Sequence, residues 1–146
     1  MGRLSACTYE NQEEPDLGLN ERRKIKELQE TTFPERVKEI EEITGVAIPY
    51  EVDWESMADD AEALRFIDNL SCHRLNMALR VICADQMGKE AVRDGLKLVK
   101  LKNVKEVADM KMDFSGGVLE MHCAYAQGTT GMFSDNAIRQ LLEQKL

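Results

Sequence analysis

The sequence predicts an α+β fold: a mostly antiparallel sheet of three or four strands, helices packed on one face, and a helical N-terminal arm. Three observations predict it. Apolar residues recur every three or four positions through the first two thirds of the chain, but alternate strictly in Val46–Trp54, Leu98–Lys102 and the run GGVLEMHCAYAQ from Gly116 to Gln127. The last three strands also follow one another too closely for the helical crossovers of a doubly wound parallel sheet. Finally, 146 residues with 43% hydrophobic and 32% charged side chains suit one folded core. Residues 1–18 read as a flexible acidic tail and 19–146 as a single domain.

Each element has a local reason. Leu19–Thr31 is helical, with Asn20 as its N-cap and a thin apolar face of Leu19, Ile25 and Leu28 that calls for a partner, a second copy among the choices. Pro34 breaks or kinks it and suits the first turn of a helix over Glu35–Thr44, which Gly45 closes. In Val46–Trp54, Ile48, Tyr50, Val52 and Trp54 share a face, and Pro49 places the strand at a sheet edge or begins it. Ser56 and Asp59 form a capping-box pattern for a helix to about Ile67, with a break and recapping at Asp68 and Asn69. Leu70 to about Met87 is a longer helix carrying Leu75, Ala78, Leu79 and Ile82, with Cys72 and Cys83 on the same stripe.

Gly88 interrupts that helix, and Lys89–Lys97 forms a short further one. Leu98–Lys102 is a strand with Val99 and Leu101 inward. A loop over Asn103–Asp109 leads to a hairpin, whose arms are Met110–Phe114 and the alternating run after the Gly116/Gly117 turn. Leu119, Met121, Cys123 and Tyr125 face the core. The open face then carries Glu51, Asp53, Lys100, Lys102, Glu120 and His122. Gly128–Gly131 is a loop, and Ser134 caps a last helix over Asp135–Lys145.

Charge narrows the classes of partner. Residues 1–62 hold 7 Lys/Arg against 17 Asp/Glu, a net of −10, which leaves +2 for the remaining 84. An acidic surface repels phosphate backbones and anionic lipids, so neither nucleic acid nor membrane is the expected partner, and a basic protein is. No apolar run approaches a membrane span, and the N-terminus has no secretory apolar core. It approaches a myristoylation motif but has Ala6 where that motif takes Ser or Thr. Four cysteines without CxxC spacing indicate reduced thiols, hence a cytoplasmic protein.

Four features are candidates for function. The dipeptides Cys72/His73 and His122/Cys123 have the ligand types of a zinc site, but neighbours on a strand face opposite ways and neighbours on a helix lie about 100° apart, so no metal or other cofactor is expected. A thiol enzyme needs only one Cys and one His in contact; Cys72 near a helix start, with His73 or His122 as base, is that reading. Against it, Cys72, Cys83 and Cys123 lie on core-facing stripes, where cysteine acts as a small hydrophobe, and Cys7 falls in the tail.

The loop Gly128, Thr129, Thr130 and Gly131 with Ser134 offers amides to an anion at a helix start, although Asp135 opposes it. The acidic run Glu51, Asp53, Trp54, Glu55, Asp59, Asp60 and Glu62 lacks EF-hand spacing and reads as a surface for a basic partner, with Trp54 as its anchor if exposed. Met110, Met112, Met121 and Met132 cluster near the hairpin, where packing accounts for them. The expected function is therefore a small cytosolic interaction protein, homo-oligomeric through its N-terminal helices, with thiol chemistry and anion binding as the alternatives.

Overall fold

A computed structural model of the chain describes residues 18–146, the side chains of Asn69 and Leu70 excepted. The expected tail, Cys7 and the near-match at Ala6 lie outside the described residues, save Gly18. Helix α1 (Leu19–Glu27) begins after Gly18 and takes Asn20 into its first turn instead of using it as a cap. It continues without a break through a π-helical turn, Leu28–Thr32, into α2 (Phe33–Thr44). Pro34 gives the reason. With no N–H and a ring that crowds the carbonyl four residues back, it forbids a regular helix there, and the chain widens by one residue so that the Phe33 N–H reaches the Leu28 carbonyl. Gly45, at φ 91°, ends α2 with its N–H on the Glu41 carbonyl at 2.8 Å.

Strand β1 is only Tyr50–Val52, shorter than the alternation suggests. Asp53 stops it: its carboxylate accepts the Ser56 N–H at 3.2 Å and starts a 3₁₀ turn, Trp54–Met57. Asp60, not Ser56, then caps α3 (Ala61–Phe66), accepting the Ala63 N–H at 3.1 Å. No break occurs at Asp68 or Asn69. A second π-helical turn, Ile67–Cys72, carries α3 into α4 (His73–Ile82). Helix α5 (Gln86–Gly95) contains Gly88 instead of being broken by it, because the Asp85 cap accepts the Gly88 N–H at 2.7 Å. A Cβ at Gly88 would stand 1.8 Å from the Ile82 carbonyl oxygen, so only glycine fits this cap.

Strand β2 (Leu98–Asn103), a 3₁₀ turn over Val107–Asp109, β3 (Lys111–Ser115) and β4 (Val118–Cys123) follow. Gly116 and Gly117, at φ 60° and 82°, make the two-residue turn that joins β3 to β4. The expected long strand stops at Cys123, and Tyr125–Gly131 coils into 3₁₀ turns. Helix α6 (Asp135–Lys145) starts at Ser134, whose Oγ accepts the Ala137 N–H at 3.0 Å, as the sequence predicts.

The α+β class holds, but the sheet is mixed and mostly parallel, with order β1-β2-β4-β3. Only the β3–β4 hairpin is antiparallel; β1 with β2 and β2 with β4 run parallel. The expectation of an antiparallel sheet took sequence neighbours as sheet neighbours. Instead β3 goes to the edge and β4 returns between β2 and β3, so that the turn over Val107–Asp109 and β3 supply the long connection a parallel pair requires. Strand β1 is an edge strand, as Pro49 suggests.

Val99, Leu101, Phe114, Leu119, Met121 and Cys123 are buried on one face of the sheet. They join Leu28, Ile40, Leu64, Leu75, Leu79, Ile138 and Leu142 from the helices in one core. The thin face of α1 is covered in part from within the chain, since Ile25 packs against this core and α1 lies on α3. Among the described residues no helix is long and apolar enough to cross a membrane.

Candidate functional site

With the helices on one face, period-two alternation leaves charged side chains on the other. Glu51, Asp53, Lys100, Lys102, Glu120 and His122 all border one groove of about 360 Å³. The strand register sorts them into two rows. Glu51, Lys100, Glu120 and Asp113 stand opposite one another on β1, β2, β4 and β3. Two residues further along, Lys102, His122 and Lys111 are in register on β2, β4 and β3. Asp53 extends this second row towards β1, its N–H still bonded to the Leu101 carbonyl at 2.9 Å.

Pairing within the groove is partial. Lys100 Nζ lies 3.8 Å from Glu51 Oε2, and His122 Nε2 lies 2.8 Å from Glu120 Oε2. A carboxylate oxygen only accepts, so the imidazole donates, and this bond holds the Glu120 carboxyl below its usual range.

The acidic run curves away from this groove around the β1 edge. Glu51, Asp53, Glu55, Asp59 and Glu62 are exposed, and Asp60 is half-buried. Lys105 reaches both Asp60, at 3.4 Å, and Asp59, at 3.9 Å, and Arg65 lies 3.6 Å from Glu62. Among the described residues Asp53 and Glu55 have no ion-pair partner. Trp54 is half-buried and meets Phe33 edge-on at 5.6 Å, so it is a wall of the core as much as a surface anchor. Its outer side lines a second groove of about 460 Å³ with Arg22, Ile25, Lys26, Gln29, Glu30, Glu55 and Ala58.

The cysteine and histidine candidates are not brought together. Cys72 is fully buried and Cys123 is 1% exposed, while His73 is exposed on α4 and His122 stands on the opposite face of the sheet from Cys123. No described histidine is hydrogen-bonded to a thiol. Burial raises all three described thiols; Cys123 is pushed up to about 11, and Cys72, beside the Tyr50 hydroxyl, goes higher. Thiolates are the nucleophilic form, and burial disfavours that form at each of these positions. Among the described residues no group of three or more His, Cys, Asp or Glu side chains is arranged to hold a metal ion.

In the glycine loop, Gly131 is buried and its carbonyl accepts the Ala124 N–H at 2.8 Å. Thr130 donates to the Gln127 carbonyl at 3.1 Å, Thr129 and Gly128 are at the surface, and Ser134 is committed to its cap. The loop folds upon itself. Family models, curated proteins and solved structures give no match to this chain.

Two polar clusters had no signal in the sequence. Asn103, 4% exposed, donates from Nδ2 to the Ser56 carbonyl at 3.0 Å and accepts the Tyr125 N–H at 3.3 Å, while its own N–H bonds Ser56 Oγ at 2.9 Å. It pins the turn bearing Trp54 and Glu55 to the end of β4. Arg36 makes a two-pronged pair with Asp68, at 2.7 and 3.4 Å, and reaches Glu39 at 3.0 Å. The Asp68 bond, ahead of the others, raises its guanidinium further above an already high value, so it is always charged. The Tyr50 hydroxyl and Asn76 Oδ1, which are buried, have no hydrogen-bond partner among the described residues.

Proposed function

We propose that the protein acts by binding, and that its contact surface is the acidic strip that begins on the open face of the sheet at Glu51 and Asp53 and turns around β1 to Glu55, Asp59, Asp60 and Glu62. Its partner is a basic segment of another protein. One observation supports this reading above others. Among the described residues the six carboxylates of this strip form ion pairs with three cations, Lys100, Lys105 and Arg65, so the strip carries a surplus of negative charge. Asp53 and Glu55, exposed and without an ion-pair partner among the described residues, stand at its centre beside the half-buried Trp54. Such fields govern encounter rate and choice of partner more than they govern final affinity.

A Lys/Arg-rich peptide titrated into the labelled protein tests the reading. Amide shifts should concentrate between Glu51 and Glu62 and fade as salt is raised, because exposed charges are screened within about 8–10 Å at physiological ionic strength. Neutralising the centre by D53N, E55Q and D59N together should weaken binding by about tenfold. Asn is as good a cap as Asp, so the D53N change leaves the turn intact. Binding indifferent both to salt and to these three changes defeats the assignment.

A further inference from the structure

The second row of the open face carries an arrangement that the acidic strip does not explain. Lys102, His122 and Lys111 occupy directly opposed positions on three neighbouring strands. Basic side chains opposed in this way repel, and no described residue forms an ion pair with either lysine. Solubility gives no reason for a basic row in a chain of net charge −8. The bond from His122 Nε2 to Glu120 orients the ring, whose side chain is 18% exposed, and no described residue hydrogen-bonds its Nδ1.

We propose that Lys102, His122 and Lys111 form a subsite for one doubly charged oxyanion, the phosphoryl group of a small molecule or of a modified side chain. Adjacent strands lie about 4.8 Å apart, so the two lysine stems are rooted roughly 10 Å from each other with the imidazole between them. Stems of that length can reach a single group above His122, and two ammonium charges balance a phosphate dianion. The surroundings limit what else fits. Asp53 closes the row on the β1 side, and Glu120 and Asp113 form the adjoining row. A nucleic acid or polyphosphate running past the subsite meets carboxylates on either side, whereas a lone phosphoryl group shares the subsite with the Glu120 carboxylate, which is held 2.8 Å from His122 Nε2. The subsite stands independently of the acidic strip, and the variants that test the two share no residue.

The test follows the His122 ring resonances by NMR at constant pH and ionic strength. Inorganic phosphate, O-phosphoserine, a phosphoserine peptide and acetate are titrated in turn. Phosphate and O-phosphoserine should shift the ring saturably, and acetate, with half the charge, should bind at least about fivefold more weakly. K102Q/K111Q should abolish saturation, each single change should weaken it, and K97Q, at a lysine off the row, should leave it intact. Both replaced positions are exposed on strands, so an unchanged unfolding midpoint verifies that the fold persists. Tighter binding of the phosphopeptide than of O-phosphoserine assigns a protein ligand, and the reverse assigns a small molecule. A shift that does not saturate, that survives K102Q/K111Q, or that acetate reproduces equally overturns the subsite.

Discussion

Replacing Asn103 by Ala tests the link between the buried framework and the proposed surface. The side chain is 4% exposed and serves two backbone groups, the Ser56 carbonyl at 3.0 Å and the Tyr125 N–H at 3.3 Å. Alanine removes both bonds, each worth about 1 kcal/mol net, and leaves the buried Tyr125 N–H without this acceptor at an added cost, for a total of about 3 kcal/mol. At a urea m-value of about 2 kcal/mol/M, this lowers the unfolding midpoint by about 1.5 M with the slope unchanged. The bond from the Asn103 N–H to Ser56 Oγ survives, so the turn over Trp54–Met57 loosens without detaching. Trp54 fluorescence in the folded variant should therefore shift towards that of a more exposed indole. A midpoint within about 0.3 M of the parent, with unaltered Trp54 emission, would mean that Asn103 does not hold this turn.

Three other outcomes follow from particular contacts. Gly88→Ala should cost about 2 kcal/mol in thermal unfolding, despite alanine's better helix propensity, because the new Cβ meets the Ile82 carbonyl at 1.8 Å; a stabilised variant would contradict the cap geometry. Stability should fall from about pH 9 upward: burial raises Cys123 to about 11, and raises Cys72, Tyr50 and Tyr125, above their unfolded values of 9.0 and 10.0. Groups raised on folding give stability that is complete below the unfolded pKa and is lost as pH climbs through the folded one, so a flat unfolding free energy between pH 9 and 11 would refute their burial. Glu120 shifts the other way, and the stability it contributes is present above its unfolded value of 4.5 and vanishes as pH falls through its lower folded value. E120Q should flatten that part of the acid-unfolding curve and change little at neutral pH, since the carboxylate is 43% exposed.

The faces of the sheet are legible in the sequence because alternation depends on a single strand. Val99, Leu101, Leu119, Met121 and Cys123 fall inward and Lys100, Lys102, Glu120 and His122 outward by that rule alone, and the six expected open-face residues do share one groove. The two rows are not legible in this way, since they depend on register between strands and on β4 lying beside β2. Nothing local to Lys102 places it opposite His122. The break expected at Asp68 fails for another reason: Asp-Asn ordinarily ends helices, and a π-helical turn allows the chain to continue, whereas Pro34 does fall in the first turn of α2 after a similar turn interrupts the regular helix. Asn103 reads as the start of a loop because asparagine favours turns, yet here the side chain is buried as a hydrogen-bonding hub. Ser56 loses the capping role to Asp60 because its hydroxyl is taken by the Asp53 carbonyl and the Asn103 N–H.

The two π-helical turns let each long helix carry an extra residue without losing its phase. Each holds one residue more than a regular helix would use, and each lies between segments that bury side chains against different neighbours: α1 against α3, then α2 against α4 and α5. Four residues of α-helix turn the chain through about 400°, and the widened turn at Leu28–Thr32 spreads about the same rotation over five, so the extra residue that Pro34 imposes leaves Ile25 facing the core. One residue added within regular α-helix would instead rotate everything beyond it by about 100°; the widened turns confine the surplus to a single turn of each rod.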